Sequence, residues 1–214
     1  MKGWGPAGAT AQWNAVLFSW HNNTGSQTVD ELAIFGNFPA TGRNEINYYF
    51  QGASSGNAYS NSEFQDPSAW YHVVWQSSST SAVKLYVNNV EITDWRVFSS
   101  VTAQSFINKN QTCSIGARAP GSTSPAGSTF HGEGYLADVY FIDGTAKSPS
   151  DFGKPNKDGV WVPQNYTGSY GTNGFHLTFD SSQTNGIGPL SYTPLTLPPK
   201  RLVYLPLVAR SLTK

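Results

Sequence analysis

Apolar residues along this chain recur mostly at every second position and seldom at the three-and-four spacing of a helix. Residues 82–88 are the clearest case: Val83, Leu85 and Val87 alternate with Lys84, Tyr86 and Asn88, the pattern of a strand buried on one face. The same reading predicts strands at 13–20, 30–36, 45–51, 70–77, 90–97, 112–117, 134–142 and 175–180. Gly, Ser and Pro dominate 52–61 and 120–128, which read as turns. Asn88 and Asn89 separate two strand patterns by two residues, and Asn tolerates the positive φ that a type I′ hairpin turn requires. One helical turn is predicted at 148–153. There Ser148 can cap, Pro149 takes the first helical position, Asp151 lies in the first turn and Gly153 stops it. Many strands joined by irregular loops predict an all-β sandwich or barrel.

Composition narrows this picture. Only 12 % of residues are charged, against about 25 % in an average globular chain. Aromatic residues reach 14 %, with seven Trp, eleven Tyr and twelve Phe, which is the reverse of a disordered composition. Ala, Leu, Glu and Lys are too scarce for a long helical bundle. No stretch approaches the roughly 18 apolar residues of a spanning helix, so membrane insertion is not expected. The opening residues hold no apolar run of about 7–15, so no secretory signal is expected. Balanced charge disfavours a basic nucleic-acid surface. Cys113 is the single cysteine, which removes an intrachain disulfide framework and predicts a small buried residue within a strand.

The formal charge of zero is a cancellation. Residues 1–180 hold nine basic and all thirteen acidic side chains, while 181–214 carry Lys200, Arg201, Arg210 and Lys214 with no acid. Pro189, Pro194, Pro198, Pro199 and Pro206 punctuate this last segment, and the apolar run 202–209 is interrupted by Pro206, which suits an edge strand or an extended arm. The chain therefore divides into a β domain, 1–180, and a Pro-rich basic C-terminal arm, 181–214. An apolar arm needs a cover. Lys200, Arg201, Leu202, Tyr204, Leu205, Leu207 and Arg210 are the expected subunit-contact residues, adding a strand to a neighbour's sheet edge and meeting its acidic body. A homo-oligomer follows.

The sequence Asp66-Pro67-Ser68-Ala69-Trp70-Tyr71-His72-Val73-Val74, followed by Lys84-Leu85-Tyr86-Val87-Asn88-Asn89-Val90, resembles a hairpin of laminin-G-like, concanavalin A-like jelly-roll domains. More specific are Gly134-Tyr135-Leu136-Ala137-Asp138-Val139-Tyr140-Phe141-Ile142-Asp143-Gly144, then 148–153, then Gly159-Val160-Trp161-Val162-Pro163, closed by 170–177. Together these resemble the laminin-G-like domains of structural and tail-fibre proteins in marine tailed phages. The likeness spans 14–180 and is densest from 66 to 180; the arm has no counterpart. The resemblance implies a concanavalin A-like antiparallel β-sandwich (jelly roll), to which the residue pattern adds one short helical turn and an extended C-terminal arm. It also implies a non-enzymatic phage virion structural protein, in a tail fibre, spike or capsid decoration, on the outer surface of the particle. Its partners would be other virion proteins and a host-surface glycan. The alternatives are a free carbohydrate-binding module and, third, a glycoside hydrolase.

Hydrolases of this fold line up carboxylates as Glu-x-Asp-x-Glu, because alternation puts such residues on one strand face. That triplet is absent; Asp30/Glu31 and Glu91/Asp94 split between faces, and no catalytic residue is assigned. For glycan binding, the aromatic platforms are Tyr48, Tyr49, Tyr59, Trp95, Tyr166 and Tyr170, whereas Trp70, Trp75 and Trp161 read as packing residues. Asp94, Asp138 and Asp143 are weak Ca²⁺ candidates, and Asp143-Gly144 reads first as a strand-ending turn. No other cofactor is expected. His21, His72, His131 and His176 are scattered without a close ligand pair, and His72 is expected to face solvent or a hydrogen-bond partner.

Overall fold

The computed structural model describes residues 16–21, 29–36, 43, 45–50, 56–66, 68–78, 83–99, 112–116 and 135–179. The strands are β1 (Val16–His21), β2 (Val29–Gly36), β3 (Glu45–Phe50), β4 (Gly56–Glu63), β5 (Val73–Ser77), β6 (Val83–Val87), β7 (Val90–Glu91) and β8 (Trp95–Phe98). There follow β9 (Thr112–Ile115), β10 (Val139–Phe141), β11 (Gly153–Pro155), β12 (Trp161–Pro163) and β13 (Phe175–Leu177). A six-stranded antiparallel sheet runs β8-β4-β3-β2-β1-β9 and a three-stranded sheet runs β5-β6-β7. Two further antiparallel pairs are β10-β13 and β11-β12. The segment 181–214, with all seven residues expected to make subunit contacts, lies outside the described residues.

Alternation decides which residues meet. On β6, Leu85 and Val87 face the six-stranded sheet and pack with Leu17 of β1, Ile46 of β3 and Ile92. Beside them Trp20, Tyr48, Phe50 and Ala58 form a second cluster, joined by Trp75, Val83 and Phe141. The intervening residues Val74 and Tyr86 point the other way, onto Phe152, Tyr166 and Tyr140. Side chains of the two sheets thus meet in shared apolar clusters, and Phe152, Tyr166 and Tyr140 pack on the opposite face of the smaller one. Phe50, Ile46 and Leu85 are wholly buried, each contributing about 1.5–3 kcal/mol relative to exposure.

Three local features are as expected. Asn88 and Asn89 have φ of 49° and 67°, the left-handed pair of a type I′ turn. Asp151 Oδ2 accepts from the Ser148 backbone N–H at 2.8 Å and from its hydroxyl at 3.0 Å, at the head of a single 3-10 turn, Pro149–Asp151. Strands β3 and β6 fall where the alternation puts them, at 45–51 and 82–88, while the strand expected at 70–77 begins only at Val73.

Others differ. Residues 56–61, read as part of a turn, belong to β4, inside the large sheet. Ala58 lies between Tyr48 and Phe98 in register, and its small side chain leaves room for the rings. The predicted strand 90–97 is two strands in two sheets: the chain leaves the small sheet after Glu91 and enters the large one at Trp95. Trp70 is exposed rather than packed. Cys113 is exposed on β9, the last described strand of the large sheet, rather than buried, although desolvation around its sulfur pushes the thiol up to about 11.

Candidate functional site

The six aromatic candidates separate according to the strand face each occupies. Tyr48 points into the core, with Trp75 and Trp95 edge-on at 5.2 and 5.7 Å, and burial pushes its hydroxyl up to about 12. Tyr59 is buried on the opposite face of the sheet, under the Arg96 guanidinium at 5.5 Å, and burial raises its hydroxyl as well. Tyr49 shares that opposite face and is half-buried. Tyr166 is buried against Phe152 and donates its hydroxyl to the Ser169 carbonyl at 3.0 Å; Tyr170 is half-buried beside it. Tyr48, Tyr59 and Tyr166 are therefore packing residues. Trp95 is half-buried and its ring reaches the wall of a cavity.

That cavity, of about 610 Å³, opens where the two sheets end together. Among the described strands β8 ends the large sheet and β7 ends the small one, and Ile92–Asp94 connects them. Tyr48, Val83 and Ile92 give the cavity its apolar lining. Trp95 and Phe98, with ring centroids 6.3 Å apart, form an aromatic wall, and Phe98 is 59 % exposed. Lys84, Glu91, Thr93 and Asp94 supply the polar lining. Apolar surface with a few convergent polar groups is the usual make-up of a small-molecule site.

The polar groups are held in place. Lys84 Nζ and Glu91 Oε2 lie 3.1 Å apart, and that hydrogen bond raises the lysine above its usual range. Asp94 Oδ1 accepts from Asn61 Nδ2 at 3.0 Å, while the Asp94 carbonyl accepts the Asn61 backbone N–H at 3.0 Å. The Arg43 guanidinium donates to the Asn61 carbonyl at 2.8 Å, bracing the same residue from behind. The second oxygen of Asp94 has no partner among the described residues.

The Ca²⁺ candidates do not meet. Asp138 Oδ1 pairs with His176 Nε2 at 3.1 Å, while Asp143 Oδ2 accepts from the backbone and side chain of Asn173 at 3.2 and 3.1 Å. With Asp94 at the cavity, the three carboxylates occupy three separate places. Among the described residues no group of three His, Cys, Asp or Glu side chains could hold a metal ion.

Two arrangements escape sequence reading. Glu45 is wholly buried and its carboxylate accepts from Arg96 Nε at 3.0 Å and from a second nitrogen of the same guanidinium. These residues are 51 positions apart, so no local pattern links them. Trp161 Nε1 donates to His72 Nδ1 at 2.9 Å across 89 positions, giving His72 the hydrogen-bond partner left open by its strand position.

No family model, curated protein or solved structure matches the chain. Among the described residues no helix is long and apolar enough to cross a membrane.

Proposed function

We propose that this protein is a non-enzymatic concanavalin A-like jelly-roll component of a tailed-phage virion, which attaches to a glycan through the groove between β7 and β8. The observation that carries the glycan reading is the pairing of an aromatic wall, Trp95 and Phe98, with fixed polar groups in one cavity. Sugars stack their apolar C–H faces on such rings and give their hydroxyls to such acceptors. Hydrolysis would need two working carboxyl groups across the scissile bond. Glu91, the second acid of the cavity, is committed to Lys84, which favours retention over cleavage. The virion assignment rests on the sequence likeness of 66–180, and the arm 181–214 would join like copies.

A glycan array probed with the full chain and with Phe98→Ala tests the site. Binding by the first and its loss in the second are expected; equal binding, or release of reducing sugar from a bound polysaccharide, overturns the reading. Immunogold labelling of phage particles should decorate their surface, and unlabelled particles would reject the virion assignment. Light scattering of the chain lacking 181–214 should report a monomer where the full chain reports an oligomer. A free carbohydrate-binding module would keep its glycan binding without decorating particles and would show the same mass with or without the arm.

A further inference from the structure

Resting on that glycan reading, we infer that the groove selects uncharged sugars and rejects uronic-acid glycans, with Asp94 as the residue that sets this specificity. Among the described residues three acid and base groups line the cavity: Lys84, Glu91 and Asp94. Lys84 and Glu91 cancel one another at 3.1 Å. Asp94 is left as the unbalanced charge, beside the aromatic wall. A carboxylate sugar entering here meets a fixed negative group, with no unpaired cation among the described lining residues to receive it, and like charges brought together repel.

For an uncharged sugar the same group is an asset. An ionised carboxylate accepts about four hydrogen bonds in all. Asp94 spends one on Asn61, and its second oxygen, which meets no partner among the described residues, can take adjacent hydroxyls. Its position is set before any ligand arrives, because Asn61 holds both its side chain and its carbonyl, and Arg43 holds Asn61. Preorganisation of this kind lowers the ordering cost of binding. Trp95 and Phe98 then provide the stacking surface, with Thr93 exposed next to Asp94.

The test is a solution titration of the full chain with neutral hexasaccharides (β-1,3-glucan, β-1,4-glucan and α-mannan) and with uronate hexasaccharides (alginate and polygalacturonate), repeated on Phe98→Ala and Asp94→Asn. Phe98 is exposed, so its removal should leave the fold intact; circular dichroism of each variant checks this. At least one neutral probe should bind, with affinity unchanged between low and high salt, and no uronate should. Asp94→Asn should weaken that neutral binding about tenfold or more, the scale of one charge-assisted hydrogen bond. Uronate binding that Phe98→Ala abolishes, or neutral binding indifferent to Asp94→Asn, overturns the specificity while leaving the glycan site standing. If no sugar binds in a manner sensitive to Phe98→Ala, the glycan reading falls and the specificity with it.

Discussion

The Trp161 indole donates its N–H to His72 Nδ1 at 2.9 Å. An indole nitrogen only donates, so Nδ1 must accept and the imidazole proton sits on Nε2. Backbone bonds fix the histidine from the other side: its N–H donates to Asn88 Oδ1 and its carbonyl accepts the Asn88 N–H, both at 2.8 Å. One contact therefore ties hairpin β11-β12 to the segment entering β5 and to the β6-β7 turn.

Gly153 makes that contact possible. A Cβ there would lie 2.6 Å from Trp161 Cε2 and 2.8 Å from Cζ2, inside the ring's van der Waals surface. Gly153→Ala should cost about 1–3 kcal/mol, the scale of overpacking. Gly144→Ala meets no neighbour within 4 Å but keeps a φ of 83°, and should cost about 1–2 kcal/mol through backbone strain alone. Urea unfolding gives both values, and Trp161 indole chemical shifts separate them: they should move in Gly153→Ala only.

Burial lowers the pKa of His72 below its ordinary 6.5. Below about pH 6.5 the unfolded chain takes up a proton there that the folded chain refuses. Stability from this group is whole above 6.5 and is lost as pH falls through the lower folded-state value. His72→Gln, whose amide oxygen can still accept from the indole, should remove this slope between pH 7 and 5. Parallel slopes in wild type and variant would refute the assignment.

Breaking the Glu45–Arg96 pair takes both hydrogen bonds of that guanidinium from a buried carboxylate and leaves it only the Arg43 Nε, 3.8 Å away. Arg96→Met should cost about 3–5 kcal/mol, and adding Glu45→Gln should recover part of it. A double-mutant cycle by chemical denaturation checks this; additive losses would mean the two residues do not act as a pair.

Trp75 behaves differently. Its ring packs in both inner clusters, but Nε1 is buried and meets no acceptor among the described residues. An unmade buried hydrogen bond costs about 1–3 kcal/mol, which offsets much of the ring area that Trp75→Phe gives up. The variant should stay within about 1 kcal/mol of wild type, and a loss above about 2 kcal/mol in urea unfolding would refute this.

The legible parts of the fold are those where one local rule acts alone. Val83, Leu85 and Val87 alternate because one face of β6 is apolar, and Asn88-Asn89 must turn because both residues accept positive φ. Strand β4 hides because Ala58 and Ser60 are chosen for what lies across from them. Ala58 sits between aromatic neighbours, and the Ser60 hydroxyl accepts the Ile46 N–H at 3.1 Å beside a register shift. Thr93 and Asp94, exposed in succession, break the alternation at the crossing between sheets. Of the candidate aromatics, Tyr48 and Trp95 reach the same cavity, but only burial distinguishes the packing ring from the accessible one. Trp161–His72 and Glu45–Arg96 join distant residues and leave no periodic trace.

Strand β8 divides its labour by residue. Arg96 anchors it to the buried Glu45 on one face, while Trp95 and Phe98 line the groove on the other. Thr93, Asp94 and Phe98 are exposed and take no part in that anchor. The groove can therefore be retargeted: a library varied at 93, 94 and 98 over a constant Arg96 should yield new ligand preferences on an unaltered framework.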